Sequence, residues 1–374
     1  MTTALVGKRA RRLTLLVAVL ALLGCLLMGL RAPRQTLLSY LFAFVFLSGL
    51  SVGSLALAMV HVLTGGAWGL HMRPFLLAAA RTLPLQALMV LPVLIGVRLL
   101  YPWASPQLLA HDALLQAQSW YLEPHFFIGR TIVYFALWLA LLVLFERRMQ
   151  NSALLPRIAA PGLIVYALTT TLAAVDWVMS LLPHWHSSVF GMTVATGWLL
   201  AAAALATLCL MRTVNETQLP RLSSDLGNLL LMFVLVWSYL AFMQYLTIWI
   251  ADLPAETSWY IPRTLTSWRV LAWFLIAFHL FVPFAALLSR RAKRSRTCLA
   301  WIAALLLLAN LADALWLVIP GERPQGFALR WTDLLAPLGL GALWLWVFSG
   351  RAPLQRVQAS APLLGPSVAG HARA

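Results

Sequence analysis

TLLSYLFAFVFLSGLSVGSLALAMVHVL, residues 36–63, contains no Asp, Glu, Lys or Arg. About 20 apolar residues suffice for a helix to cross the hydrocarbon core of a bilayer. Nine further stretches read the same way, so spans are expected at 13–30, 36–63, 75–100, 128–146, 161–182, 187–211, 226–250, 268–288, 298–319 and 330–349. The expected fold is all-α and integral to the membrane: one polytopic transmembrane domain over 1–350, with about ten transmembrane helices. The longest connection, 101–127, is rich in Pro, Gln and His. The tail, 351–374, is rich in Pro, Gly and Ala and is expected to be disordered.

Composition points the same way. Hydrophobic residues make up 62% of the chain, charged residues only 10%, and the mean hydropathy is +0.85. Soluble domains carry about 25% charged residues, so the solvent for this chain is mostly lipid. The net charge of +16 does not indicate nucleic acid. The basic residues sit in short runs between apolar stretches, such as Arg147–Arg148 and Arg290–Arg291–Lys293–Arg294–Arg296, and no basic surface with interleaved aromatics appears. Counting Lys and Arg on alternate loops gives 18 on one side and 8 on the other, with Arg81 left inside a span. The positive-inside rule then expects both termini in the cytoplasm, which an even number of spans also requires. Arg81 is expected to snorkel or to pair with an acid.

The first segment resembles a signal peptide, with basic residues from Lys8 to Arg12 and a lipoprotein-like Leu22-Leu23-Gly24-Cys25. Its apolar run continues to Leu30, so a retained helix is expected. The three cysteines, Cys25, Cys209 and Cys298, form no C-x-x-C pair, and no zinc, c-type haem, P-loop or hydrolase motif is present. No helix carries two His at a spacing that would suggest a multihaem cytochrome. The chain alone is expected to bind no metal, haem or iron–sulfur cluster.

Polar residues inside spans are costly and therefore candidate sites. Asp176 lies late in the fifth span, with Thr169 and Ser180 on the same helical face. It is either a structural hydrogen-bonding group or a proton-relay carboxyl, desolvated among apolar helices. Pro183 ends that span, and His184-Trp185-His186-Ser187-Ser188 follows at the side with fewer basic residues. An imidazole there suits proton exchange, or simply a headgroup boundary. The seventh span ends in a second cluster containing Gln244, Tyr245, Trp249, Asp252, Glu256, Trp259 and Tyr260. Two aromatic clusters with His and acids thus meet one membrane surface. A quinone headgroup needs hydrogen-bonding groups at its two carbonyls and a nearby proton acceptor, which such clusters could supply; an interfacial aromatic belt would look similar. Asp313 and His279 are further buried polar candidates, each with an equally plain packing role.

At these clusters the sequence resembles a known family. Asp176-Trp177-Val178-Met179-Ser180-Leu181-Leu182-Pro183-His184-Trp185-His186-Ser187-Ser188-Val189-Phe190-Gly191 is similar to a signature of the F subunit of alternative complex III, a quinol:cytochrome c oxidoreductase. The stretch from Gln244 to Trp249, through Leu253-Pro254-Ala255-Glu256-Thr257, to Trp259-Tyr260 and Arg263 is similar to its second signature. The resemblance covers nearly the whole chain and extends to the NrfD-like subunits of polysulfide reductase. It implies two four-helix bundles, from spans two to five and six to nine, with the first and last spans peripheral. It implies a bacterial inner-membrane complex in which haems and iron–sulfur clusters sit on other membrane and periplasmic subunits, with cytochrome c or a terminal oxidase as acceptor. On this reading Gln244, Trp185, Tyr245, Trp249 and Arg263 are candidates for a quinone pocket, Asp176 and His184 for a proton relay, and Asp252 and Glu256 for its exit. The fifth and seventh spans are expected to bring Asp176, His184 and Gln244 together. Two departures stand out: Leu182 replaces an acid expected before Pro183, and His186 replaces an aromatic. Two alternatives remain, a secondary transporter and a purely structural membrane anchor. In such complexes a homologous sister subunit is the other place for the quinol.

Overall fold

A computed structural model describes residues 7–151, 153–213 and 219–352. Among these residues there are no strands, and ten helices are long and apolar enough to cross a membrane. The chain is a multi-pass membrane protein. We number the spanning helices α1 (Lys8–Arg31), α2 (Pro33–Thr64), α3 (Ala67–Ile95), α4 (Pro124–Arg148), α5 (Leu155–Trp177), α6 (Phe190–Met211), α7 (Leu219–Ala251), α8 (Arg269–Leu288), α9 (Arg296–Glu322) and α10 (Trp331–Arg351). From residue 353 on, the tail expected to be disordered lies outside the described residues.

The helices close into two rings of four. In the first, α2 packs on α3 and α5, and α4 packs on α5 and on the second half of α3. In the second, α6 packs on α7 and α9, and α8 closes the ring between them. The rings join along α2 and α6, while α1 lies against α10 at the edge and α10 packs on α2. Burial follows this order: 94% of the apolar window of α2 is buried, against 17% for α1, so α2 is the axis and α1 faces lipid.

The close approach of α2 to α6 has a visible cause. Gly49 and Gly53 form a G-x-x-x-G step, the spacing that lets membrane helices touch backbone to backbone. A Cβ at Gly49 would stand 2.5 Å from Cδ1 of Trp198, and one at Gly53 would run into the Trp198 carbonyl oxygen. A backbone oxygen cannot swing aside. Gly53→Leu should therefore push the bundles apart, at an overpacking cost of about 1–3 kcal/mol or more. Thermal unfolding in detergent should show a clearly lowered midpoint, whereas Gly129→Leu, where a Cβ meets nothing within 4 Å, should leave it unchanged.

The third and eighth spans depart from plain helices. The span expected at 75–100 begins at Ala67 and is interrupted near Thr82, Val90 and Gly96. Pro84 and Pro92 cannot donate to the carbonyls four residues earlier, and the breaks near Thr82 and Val90 follow from that loss. Thr82 repairs the first break, its hydroxyl donating to the Ala79 carbonyl at 2.6 Å and meeting Ser51 Oγ at 2.7 Å. Arg81 pairs with Glu146, Nε to Oε1, at 2.5 Å. In α8 a wide π-turn spans Ile276–Phe281 just before Pro283, whose missing N–H strands the His279 carbonyl.

Candidate functional site

The α4–α5 seam carries a ladder of polar contacts at one-turn steps. Arg130, Tyr134 and Trp138 stand four residues apart, hence on one face of α4. Trp138 Nε1 donates to Thr169 Oγ1 at 2.8 Å, and the Tyr134 hydroxyl donates to Asp176 Oδ2 at 2.7 Å. Arg130 makes a two-pronged bond to the same carboxylate, Nε to Oδ2 and Nη2 to Oδ1, both 2.9 Å. Asp176 is wholly buried and the Arg130 side chain only 10% exposed. The third guanidinium nitrogen donates to the Tyr121 carbonyl at 2.9 Å, and the guanidinium sits 3.8 Å from the Tyr121 ring centroid and 4.3 Å from that of Phe126. The polar stripe of α5 thus faces protein. Asp176 is a paired carboxylate bound to the neighbouring helix α4, as its structural alternative has it, and is not isolated among apolar side chains.

Above this pair lies a cavity of about 280 Å³, lined by Gln118, Trp120, Tyr121, Leu122, Val175, Met179, Ser180, Pro183, Trp185 and His186. It is close to the lower end of the range of small-molecule pockets, about 300–1,000 Å³. Two of its polar atoms, the Tyr121 hydroxyl and the Trp185 indole nitrogen, are buried without a hydrogen-bond partner. Burial pushes the Tyr121 phenol above its usual range, reinforced by the Asp176 charge.

Residues 102–122 fold over the α4–α5 end as three short helical turns. Asp112 begins the last of them: its Oδ1 accepts from the Leu114 and Leu115 amides. Its Oδ2 meets His184 Nε2 at 2.8 Å, tying this strap to the turn after Pro183. The Leu115 amide, helped by His184 and Leu114, holds the Asp112 carboxyl below the usual carboxylate range. A carboxyl depressed in the folded state stabilises that state above its unfolded pKa, and the contribution is lost as pH falls through the folded value. Amide protection factors over residues 106–118, taken relative to the intrinsic exchange rate at each pH, should therefore fall on acidification, and Asp112→Asn should remove most of that pH dependence.

The two sequence clusters do meet. Trp185 stacks flat on Trp259, centroids 4.1 Å apart. Ser187 Oγ donates to Gln244 Oε1 at 3.2 Å, and Gln244 Nε2 donates to the Tyr260 hydroxyl at 3.2 Å. The expected meeting of Asp176, His184 and Gln244 does not occur, because each has its own partners and α6 stands between α5 and α7, packing on both. Trp185 alone of the five candidate pocket residues lines the cavity. Trp249 and Tyr245 are 64% and 41% exposed on the outside of α7. Arg263 is fully buried and donates to the carbonyls of Trp259, Trp316 and Leu317. Pro320 has no N–H to offer the Trp316 carbonyl, so Arg263 replaces it. Burial lowers the Arg263 guanidinium to about 9. Asp252, at φ 47°, ends α7 at the surface, and Glu256 lies half-buried in the next turn.

Sequence reading missed Arg130, Tyr134, Tyr121 and Asp112. Arg130 stands only two residues into the span expected at 128–146 and so reads as a cation at the span's end, whereas α4 starts at Pro124 and places it in the second turn. The four-residue step Arg130–Tyr134–Trp138 was the available signal.

A comparison with protein-family models finds no match, and neither does one with curated proteins. Among the described residues no group of three His, Cys, Asp or Glu is placed to hold a metal.

Proposed function

We propose that this chain is a quinone-site membrane subunit of a respiratory quinol-oxidising complex of the alternative complex III type, in a bacterial inner membrane. One observation carries the reading: an aromatic-walled cavity of about 280 Å³ with two unpartnered donors, seated over a buried carboxylate–guanidinium pair. A quinol headgroup is a flat ring with an oxygen at each end. Trp120, Tyr121 and Trp185 suit the ring faces, and the Tyr121 hydroxyl and Trp185 N–H suit the oxygens. Oxidation of the quinol releases two electrons and two protons. Haem or iron–sulfur centres on partner subunits would take the electrons, and this chain's part would be to receive the protons. Asp176, next in the chain to the cavity-lining Val175, is the carboxylate to which this reading assigns one of them. His184, with Asp112, lies at the wet rim. With the basic face in the cytoplasm, Asp252 and Glu256 lie on the side of proton release. The resemblance of the Asp176–Gly191 stretch to the F-subunit signature supports the same assignment.

A transporter reading would favour broken helices at matching positions of the two bundles. The break in α3 has no counterpart in α7, which runs unbroken from Leu219 to Ala251.

The test is photolabelling. The complex is purified in mild detergent and treated with an azido-quinone. Crosslinks within 118–122 and 175–186, displaced by excess quinol, are expected. Labelling confined to a co-purifying sister subunit would leave this chain as an anchor only.

A further inference from the structure

The last helices of the two bundles carry the same internal pattern. Asp176 precedes Pro183 by seven residues in α5 and its exit turn, and Asp313 precedes Pro320 by seven in α9. The surroundings of the two carboxyls have diverged. Asp176 has Arg130 and Tyr134. Asp313, 9% exposed, has no hydrogen bond and no ion pair, and it lines a second cavity, of about 20 Å³, with Asn310, Gly197 and Trp198. That space suffices for one water, which needs about 10–15 Å³ and two to four polar partners. Asn310 Nδ2 is already used by the Leu306 carbonyl at 2.8 Å, which leaves its Oδ1 free near Gly197.

A second unsatisfied group stands next to this one. His279 is fully buried at the π-turn of α8, and neither of its ring nitrogens has a partner. Its ring lies 3.8 Å from that of Trp237. The Trp237 indole N–H approaches Asp313 without closing a hydrogen bond. Carboxyl, indole and imidazole thus form a buried row running from α9 across α7 to α8.

We propose that Asp313 and His279 form a proton-binding site in the second bundle, whose ligand is one proton held with one ordered water. The inference does not depend on the quinol reading. A buried carboxylate without a cation is too costly to persist, and it takes up a proton or a protonated neighbour instead. No fixed cation is available to Asp313. On α9 the other charged groups, Arg296 and Glu322, lie at its two ends, and Glu322 pairs with Arg34. Across from α9, α2 offers His61, at its basic-face end, and Arg34, at the opposite end and paired with Glu322, and α6 offers no charged side chain before Arg212. Arg263, next to α8, is spent on the Trp316 and Leu317 carbonyls. On α7 the charged residues, Arg221 and Asp225, are near the basic face. His279, on a packed neighbour, is the buried titratable group on the far side of Trp237 from Asp313. The cavity water, which can accept a proton and hydrogen-bond to the Asn310 Oδ1, is the carrier by which the proton leaves again.

The experiment is pH-difference infrared spectroscopy on the full chain in lipid nanodiscs, with the chain carrying isotope-labelled aspartate. Raising the pH should convert a protonated-carboxyl C=O band into carboxylate bands, and Asp313→Asn should abolish that conversion. His279→Gln and Trp237→Phe, which keep most of the packing, should each move its midpoint by about one pH unit. These two variants decide the matter if Asp313→Asn does not fold. An aspartate band that never changes with pH overturns the proposal. So does a conversion that survives Asp313→Asn, or a midpoint that neither of the other two variants moves.

Discussion

Arg130→Ala should be among the most damaging single substitutions in this protein. It deletes the cation facing a carboxylate of zero exposure, and breaking a buried ion pair from one side costs about 3–5 kcal/mol. The cost comes from the charge left behind more than from the bond lost. Asp176→Asn should be milder for the same reason. The Arg130 it strands keeps the Tyr121 carbonyl at 2.9 Å, the ring faces of Tyr121 and Phe126, and 10% exposure. The Arg130→Gln/Asp176→Asn double variant, neutral on both sides, should recover most of the loss. Thermal unfolding of the detergent-solubilised protein measures all three. Equal loss in the two single variants, with no recovery in the double, would mean that the seam is held by shape and not by charge pairing.

What the sequence could reveal followed from how locally each feature is encoded. The run from Thr36 to Leu63 needs no tertiary information to be a span, and neither do α6 and α9. The polar face of α5 was readable because Thr169 and Asp176 are two turns apart on one helix, and the structure turns that face onto α4. The partner of Asp176 was not readable in the same way, because Arg130 is 46 residues away and lies within the first turns of its helix. The pocket was misplaced for a related reason. The clusters after α5 and α7 do touch, through Trp185 and Trp259. Their contact is a packed stack, however, and the open space lies on the other side of Trp185, against the 118–122 strap. Adjacency of two motifs at one face gave the neighbourhood but not the side on which a void remains. The breaks near Thr82 and Val90 in α3 follow from Pro84 and Pro92, residues visible in the sequence, yet their effect was masked by continuous hydrophobicity over 75–100.

Filling the void should separate binding from proton chemistry. Met179 lines the cavity at the end of α5 and is partly buried. Met179→Trp would put an indole where the headgroup is proposed to sit, on a side chain that bonds neither Arg130 nor Asp176. In the purified complex this variant should lose quinol affinity by at least about tenfold, which is roughly 1.4 kcal/mol of binding. Its thermal stability should change little, since a cavity of about 280 Å³ accommodates the larger side chain without overpacking. Asp176→Asn should behave in the opposite way. It leaves the cavity walls in place, so the quinol still binds, and it removes a carboxylate that can take a proton, so turnover falls while the KM for quinol stays near the wild-type value. The two variants therefore predict a split, a raised KM in one and a lowered kcat in the other. A Met179→Trp complex that assembles and oxidises quinol with unchanged KM would show that the headgroup binds elsewhere. An Asp176→Asn complex with unchanged kcat would make the Arg130–Asp176 pair a purely structural clamp between α4 and α5.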